Sequence, residues 1–171
     1  MRTLTQPGPA SEPRRVVSPA TGGGDLRVDL PAGVDLLEGL VAALTARGVE
    51  DAAVEWVSAE FSTFSYLTGQ PDESGLRVAT YGPPTLLDGP VRLIGGNAIL
   101  GRDATGAPLI HCHAIVVDAQ GEIHGGHLPP GTCELGSSGA VAMVAVLRGA
   151  GFSVRPDAET NFDIFQPTEV E

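Results

Sequence analysis

All four histidines of this chain lie close together in the sequence, at His111, His113, His124 and His127. Imidazole is a good ligand for first-row divalent ions, and three imidazoles around one point suit Zn²⁺ or a similar ion with a fourth position open. The alternative is a histidine cluster at a wet surface or a subunit contact, without metal. Which histidines converge depends on the strands that carry them.

Two features fix the predicted strand geometry around this cluster. Side chains alternate between the faces of a strand, so His111 and His113 share one face and Cys112 points to the other. Further along, Asp118 and Gly121 suit a type I turn followed by a left-handed glycine, as in a three-residue hairpin loop with a bulge. The sequence therefore predicts a hairpin joining this strand to the next.

The register of that hairpin selects three of the four histidines. Counting outward from the turn places His127 opposite His113 on the same face. The same count places His124 opposite Val116 on the other face. A two-residue turn would instead move His127 to the wrong face. We therefore predict metal ligands at His111, His113 and His127, with His124 outside the site.

A second turn of the same kind, Asp103–Gly106, precedes this strand. Its register places Asn97 opposite His113 and Ile99 opposite His111. The Asn97 amide is therefore a candidate supporting residue beside the cluster.

Two acids are candidates for a general base beside a metal-bound water, Glu60 and Glu134, and Glu60 is also a candidate supporting residue. Single acids on strand edges are usually solvated, so no catalytic residue is assigned and enzymatic activity stays open. Cys112 and Cys133 are interpreted as two reduced thiols that fill core positions.

The composition limits the classes of function. The 171 residues are 42% hydrophobic and 18% charged, which suits one soluble domain with a real core. No apolar run is long enough to span a membrane and no secretory signal is readable, so a cytoplasmic location is expected. The net charge is −11, and residues 25–171 carry seven arginines against twenty acids. Because nucleic-acid binding normally uses a basic face, DNA is an unexpected partner.

The pattern of elements predicts an α+β fold with a mostly antiparallel sheet and one clear amphipathic helix. Residues 1–24 are rich in proline and glycine and are predicted to be a disordered tail, followed by a domain over 25–167 and a short tail over 168–171. The helix is predicted at Leu36–Leu44, with Asp35 before it and Gly48 after it. Strands are predicted at 25–30, 53–67, 76–81, 91–100, 109–117, 122–128, 140–147, 152–154 and 162–165; a short helix is the alternative for 140–147.

The order of these motifs resembles one known family. His111-Cys112-His113, the Asp118–Gly121 turn and Gly125-Gly126-His127-Leu128 together resemble the core of the plants-and-prokaryotes conserved domain, called PPC or PCC. The Gly33–Leu44 stretch is similar to the family's opening helix, and the Asp103–Gly106 turn also matches. The similarity covers about residues 25–167.

The resemblance implies a compact α+β domain that assembles as a homotrimer. Some prokaryotic members bind metal through histidines that match His111, His113 and His127. In plants the domain accompanies DNA-binding AT-hooks, and here no AT-hook is present. The main hypothesis is a zinc-binding trimer that takes a small polar or anionic ligand or activates a water. The alternatives are a DNA-associated regulator and a structural trimer without metal.

Overall fold

The computed structural model describes residues 4–169, and within them the chain forms ten strands and one helix. In chain order they are β1 (Thr21–Leu30), α1 (Leu36–Thr45), β2 (Ala52–Tyr66), β3 (Gly69–Gln70), β4 (Thr80–Tyr81), β5 (Thr85–Arg102), β6 (Pro108–Val117), β7 (Ile123–His127), β8 (Leu135–Arg148), β9 (Ala150–Asp157) and β10 (Phe162–Glu169).

One large sheet dominates the molecule. Six strands lie in the order β1-β8-β2-β5-β6-β7, and every neighbouring pair is antiparallel. The β9–β10 hairpin joins this sheet through one parallel pairing of β9 with β5, and β3 and β4 form a small separate hairpin. The predicted α+β fold with a mostly antiparallel sheet is confirmed.

The helix begins at Leu36, as predicted, and ends at Thr45, one residue beyond the predicted Leu44. The Asp35 carboxylate accepts hydrogen bonds from the backbone N–H groups of Leu37 and Glu38, at 3.0 and 2.9 Å, and so satisfies two donors that the first turn leaves free. Gly48 takes a φ of 69° just after the helix, which glycine adopts without steric cost. Four leucines of the helix are fully buried, at positions 36, 37, 40 and 44.

The helix and the core lie on one face of the sheet. Along β6, Ile110, Cys112, Ala114 and Val116 are buried in the core cluster that also contains the four helix leucines. His111, His113 and Ile115 alternate with them and point to the opposite side, which we call the outer face. The candidate ligands therefore lie outside the hydrophobic core.

Some predicted boundaries differ from the structure. Of the strand predicted at 76–81, only Thr80–Tyr81 is paired, because the Asp72 carboxylate accepts hydrogen bonds from the backbone of Ser74 and Arg77 and folds the preceding residues into a loop. The segment predicted at 140–147 is part of strand β8, not a helix.

The first and last strands of the sheet extend closer to the chain ends than the sequence predicts. β1 starts at Thr21, four residues before the predicted boundary, because residues 21 and 22 pair with β8. β10 continues to Glu169, past the predicted end of the domain at 167. Gly8 donates a backbone hydrogen bond to the Glu159 carbonyl at 3.0 Å. Residues 1–3 and 170–171 of the two predicted tails lie outside the described residues, and disorder of the tails stays a prediction.

Candidate metal centre

The hairpin register is as the turn chemistry predicts. His113 pairs with His127 across β6 and β7, and His124 pairs with Val116. The turn that sets this register is closed by a backbone hydrogen bond from Asp118 to Glu122 at 3.0 Å, and its glycine has a φ of 87°. Local turn chemistry therefore brings His127 beside His113.

Three imidazoles meet at this point on the outer face. His111, His113 and His127 each offer one ligand atom, and these atoms lie within 4.8 Å of one another. The Nε2 atoms of His111 and His113 are 3.1 Å apart. The ring centroids of His111 and His127 are separated by 4.6 Å, and those of His113 and His127 by 5.6 Å. Three nitrogen donors this close form a donor set that suits a tetrahedral divalent ion.

The protonation states also fit a metal. Burial, and then repulsion from His111 and His113, lowers the pKa of His127 to about 4. Burial, and then repulsion from His113, lowers the pKa of His111 as well. Neutral imidazole is the form that coordinates metal. In addition, His127 Nδ1 is buried without a hydrogen-bond partner among the described residues.

The low pKa of His127 gives a testable pH dependence. In metal-free protein at pH 6, His127 should remain neutral, whereas an ordinary histidine with a pKa of roughly 6.5 would be mostly protonated. A pH titration of the imidazole nitrogens by two-dimensional NMR, with chelator present, measures this directly. A midpoint for His127 at pH 6 or above would show that the ring is not desolvated in the way described.

The fourth histidine belongs to a separate set of contacts. His124 Nε2 lies 3.0 Å from an Asp118 carboxylate oxygen, and His124 Nδ1 lies 3.3 Å from the Tyr66 hydroxyl. These partners fix the ring on the core side of β7, away from the other three histidines. His124 therefore contacts the turn through Asp118 and lies apart from the three-histidine cluster.

The predicted supporting residues are placed differently from one another. Asn97 lies opposite His113, as the second turn predicts. Glu60 pairs with Arg92 across β2 and β5, and Arg92 pairs with Val117 across β5 and β6. Val117 lies four residues along β6 from His113, which separates the two rows of paired residues by about 13 Å. Its carboxylate accepts a hydrogen bond from the Ser137 hydroxyl at 2.9 Å. The structure therefore does not bring Glu60 to the cluster.

Glu134 is also occupied elsewhere, since its carboxylate accepts a hydrogen bond from the Ser62 hydroxyl at 3.1 Å. The acid that shares a row with the histidines is Glu55, which lies opposite Asn97 in β2. This row crosses β1, β8, β2, β5, β6 and β7 in turn, as Arg27, Met143, Glu55, Asn97, His113 and His127.

Sequence comparison identifies the family. The sequence model of the Plants and Prokaryotes Conserved (PCC) domain matches residues 18–147. The chain belongs to the PCC domain family. No curated protein sequence matches it.

Solved structures share the fold of this PCC domain. A metal-containing protein from Archaeoglobus fulgidus has a TM-score of 0.72 at 19% identity, covering 89% of this chain and 99% of that chain. A PPC protein from Pyrococcus horikoshii has a TM-score of 0.72 at 19% identity, covering 91% and 100%. A protein from Ralstonia eutropha provisionally named as DNA-binding has a TM-score of 0.65 at 18% identity, covering 82% and 89%. At these identities the likeness shows the fold.

Two aromatic residues of the PCC domain complete the site, and sequence reasoning did not find them. The Tyr81 ring stacks on His127, with centroids 5.0 Å apart and planes inclined by 20°. The Phe165 and His111 rings pack edge to face, with their centroids 6.5 Å apart. Both residues arrive from distant segments, so no local spacing points to them.

The cysteines of the PCC domain are free and buried, as the sequence suggested. Cys112 lies on the core side of β6 between two of the histidines, and its sulfur accepts a hydrogen bond from Trp56 Nε1 at 3.3 Å. Burial raises the pKa of Cys112 to about 12, so it is a neutral thiol rather than a thiolate ligand.

Within residues 4–169, no helix is long and apolar enough to cross a membrane.

Proposed function

We propose that this PCC domain binds a divalent first-row ion, Zn²⁺ in the first place, through His111, His113 and His127. The observation that carries the proposal is the convergence of three imidazoles, with ligand atoms within 4.8 Å of one another, on the outer face of the sheet. A protein with the same fold is described as metal-containing, which supports it.

The ion would hold a small polar or anionic ligand, or a water, at its remaining position. Zinc supplies Lewis acidity there and lowers the pKa of a bound water. Neither predicted acid contacts the cluster, because Glu60 bonds to Ser137 and Glu134 bonds to Ser62. We therefore propose a binding function.

Metal analysis of untagged protein tests this proposal against the structural alternative. A zinc-binding domain retains about one equivalent per chain after extensive dialysis, whereas a trimer whose histidines are merely clustered retains none. Supplying zinc, cobalt and nickel in separate preparations identifies the preferred ion, because affinity and preferred geometry differ among them.

We propose a homotrimer as the assembled state. The support is a group of exposed apolar side chains on the central strands of the sheet. Val57, Ile94 and Ile115 are each more than half exposed and Met143 is 42% exposed, and an apolar surface of this kind favours association. Light scattering should give about three times the chain mass of 17.5 kDa. A monomer at micromolar concentration would contradict the proposal.

We propose that duplex DNA is not the partner, despite the provisional name of one structural neighbour. The domain after residue 24 brings thirteen excess negative charges per chain to a polyanion. Titration with duplex DNA at several salt concentrations separates the two functions, since sequence-selective binding at physiological salt would favour the DNA-associated regulator.

Two free cysteines fit a reducing compartment, and the cytoplasm is the location we propose.

A further inference from the structure

The segment between β2 and β5 contacts His127 at both of its ends. At the first end, Leu67 and His127 exchange two backbone hydrogen bonds, at 2.8 and 2.9 Å. The chain then passes through β3, a loop and β4. It returns with Tyr81, whose ring stacks on the imidazole of the same histidine. One segment thus holds both the backbone and the ring of a candidate ligand.

The return of this segment is well defined by hydrogen bonds. Tyr81 pairs with Gly69 across the small hairpin, and Gly82 donates to the Thr68 carbonyl at 3.0 Å. At the far end of the loop, the Asn161 side-chain amide donates to the Leu76 carbonyl at 2.6 Å. The position of Tyr81 is therefore set by backbone pairing on one side and by the β9–β10 turn on the other.

The Tyr81 ring replaces a contact that ligating histidines usually have. A metal-bound imidazole normally donates its second nitrogen to a carboxylate or a carbonyl, which fixes the ring orientation. His127 Nδ1 has no such partner among the described residues. Instead the His127 ring packs against two other rings, with centroids 5.0 Å away at Tyr81 and 4.6 Å away at His111. The stacked Tyr81 ring and the tilted His111 ring together restrict the rotation of the imidazole.

We propose that Tyr81 is the positioning residue of His127 and that its aromatic ring, held by the Leu67–Gly82 segment, sets the rate at which the metal leaves the three-histidine site. This inference rests on the proposed metal-binding function. The hydroxyl takes no part, because the contact is between ring faces. Tyr81 is 41% exposed, so its replacement leaves the core intact.

Two variants separate the ring from the hydroxyl, and a third serves as control. Tyr81→Leu removes the aromatic ring and retains bulk, whereas Tyr81→Phe retains the ring. Leu86→Ala, at a residue that is 74% exposed and pairs with Ser65 across β2 and β5, changes an apolar side chain that is not part of the Tyr81–His127 stack. Each protein is compared with wild type in two measurements: the NMR shifts of the His127 ring protons without metal, and the rate of zinc transfer to a chelating dye.

The ring contact predicts a specific pattern. Tyr81→Leu should shift the His127 ring protons and speed zinc release about three- to tenfold, the range expected for loss of one aromatic pair. Tyr81→Phe and Leu86→Ala should match wild type in both measurements. Unchanged shifts and release in Tyr81→Leu would overturn the inference, as would Tyr81→Phe behaving like Tyr81→Leu. If wild-type protein held no zinc, the proposed function would fail, and the metal-free shifts would still decide whether Tyr81 positions His127.

Discussion

Replacement of any one of His111, His113 and His127 by alanine should abolish stoichiometric zinc binding. Two imidazoles cannot hold the ion as three do, and even changes to residues behind a ligand weaken metal affinity by about 10- to 100-fold. Loss of a ligand itself should therefore exceed about 100-fold. Dialysed, untagged variants analysed by plasma mass spectrometry should contain less than about a tenth of the wild-type zinc.

The matched control for these variants is His124→Ala. His124 lies three to thirteen positions from the other three and has the same side chain, but its ring contacts Asp118 and Tyr66 instead. Its zinc content should equal that of wild type. If His124→Ala removed the metal while His127→Ala retained it, the register of the β6–β7 hairpin would be wrong, and the site with it.

Gly126→Ala should destabilise the fold and weaken metal binding together. A Cβ at Gly126 would lie 2.3 Å from the Leu67 carbonyl oxygen and 3.1 Å from the Tyr66 ring, so the backbone must shift. The shift would act on the two hydrogen bonds between Leu67 and His127. Overpacking of this kind typically costs about 1–3 kcal/mol, and thermal and denaturant unfolding measure the loss.

Gly22→Ala is the matched control for this prediction. Gly22 also lies in a strand, its φ is not positive, and a Cβ there would meet no atom within 4 Å. Its unfolding transition should stay within about 0.5 kcal/mol of wild type, as is usual for surface substitutions. Equal destabilisation by the two variants would mean that the contact with Leu67 is not what requires glycine at position 126.

The histidine site could be predicted because its geometry is local. Each of the turns beginning at Asp103 and Asp118 fixes one hairpin register, and alternation along the strand then fixes the face of every residue. Asn97, His113 and His127 therefore lie in one row as expected. The helix was equally readable, since Asp35 and Gly48 mark its two ends.

The surroundings of the site could not be predicted because they depend on irregular or distant pairing. Register shifts between Trp56 and Ser58, and between Phe61 and Thr63, separate the far part of β2 from simple alternation, so the location of Glu60 was not readable. Tyr81 reaches His127 only through a loop folded by the Asp72 carboxylate. Residues 21–24 have no apolar pattern, and the strand extends over them because Thr21 and Gly22 pair with β8.

X-ray absorption at the zinc edge of untagged wild-type protein tests the central claim most directly. It should show about one zinc per chain with three imidazole nitrogens at about 2.0–2.1 Å and one further light-atom ligand. Zinc absent from the protein would contradict the proposed site. So would sulfur at about 2.3 Å, because the buried thiols of Cys112 and Cys133 are placed outside the ligand set.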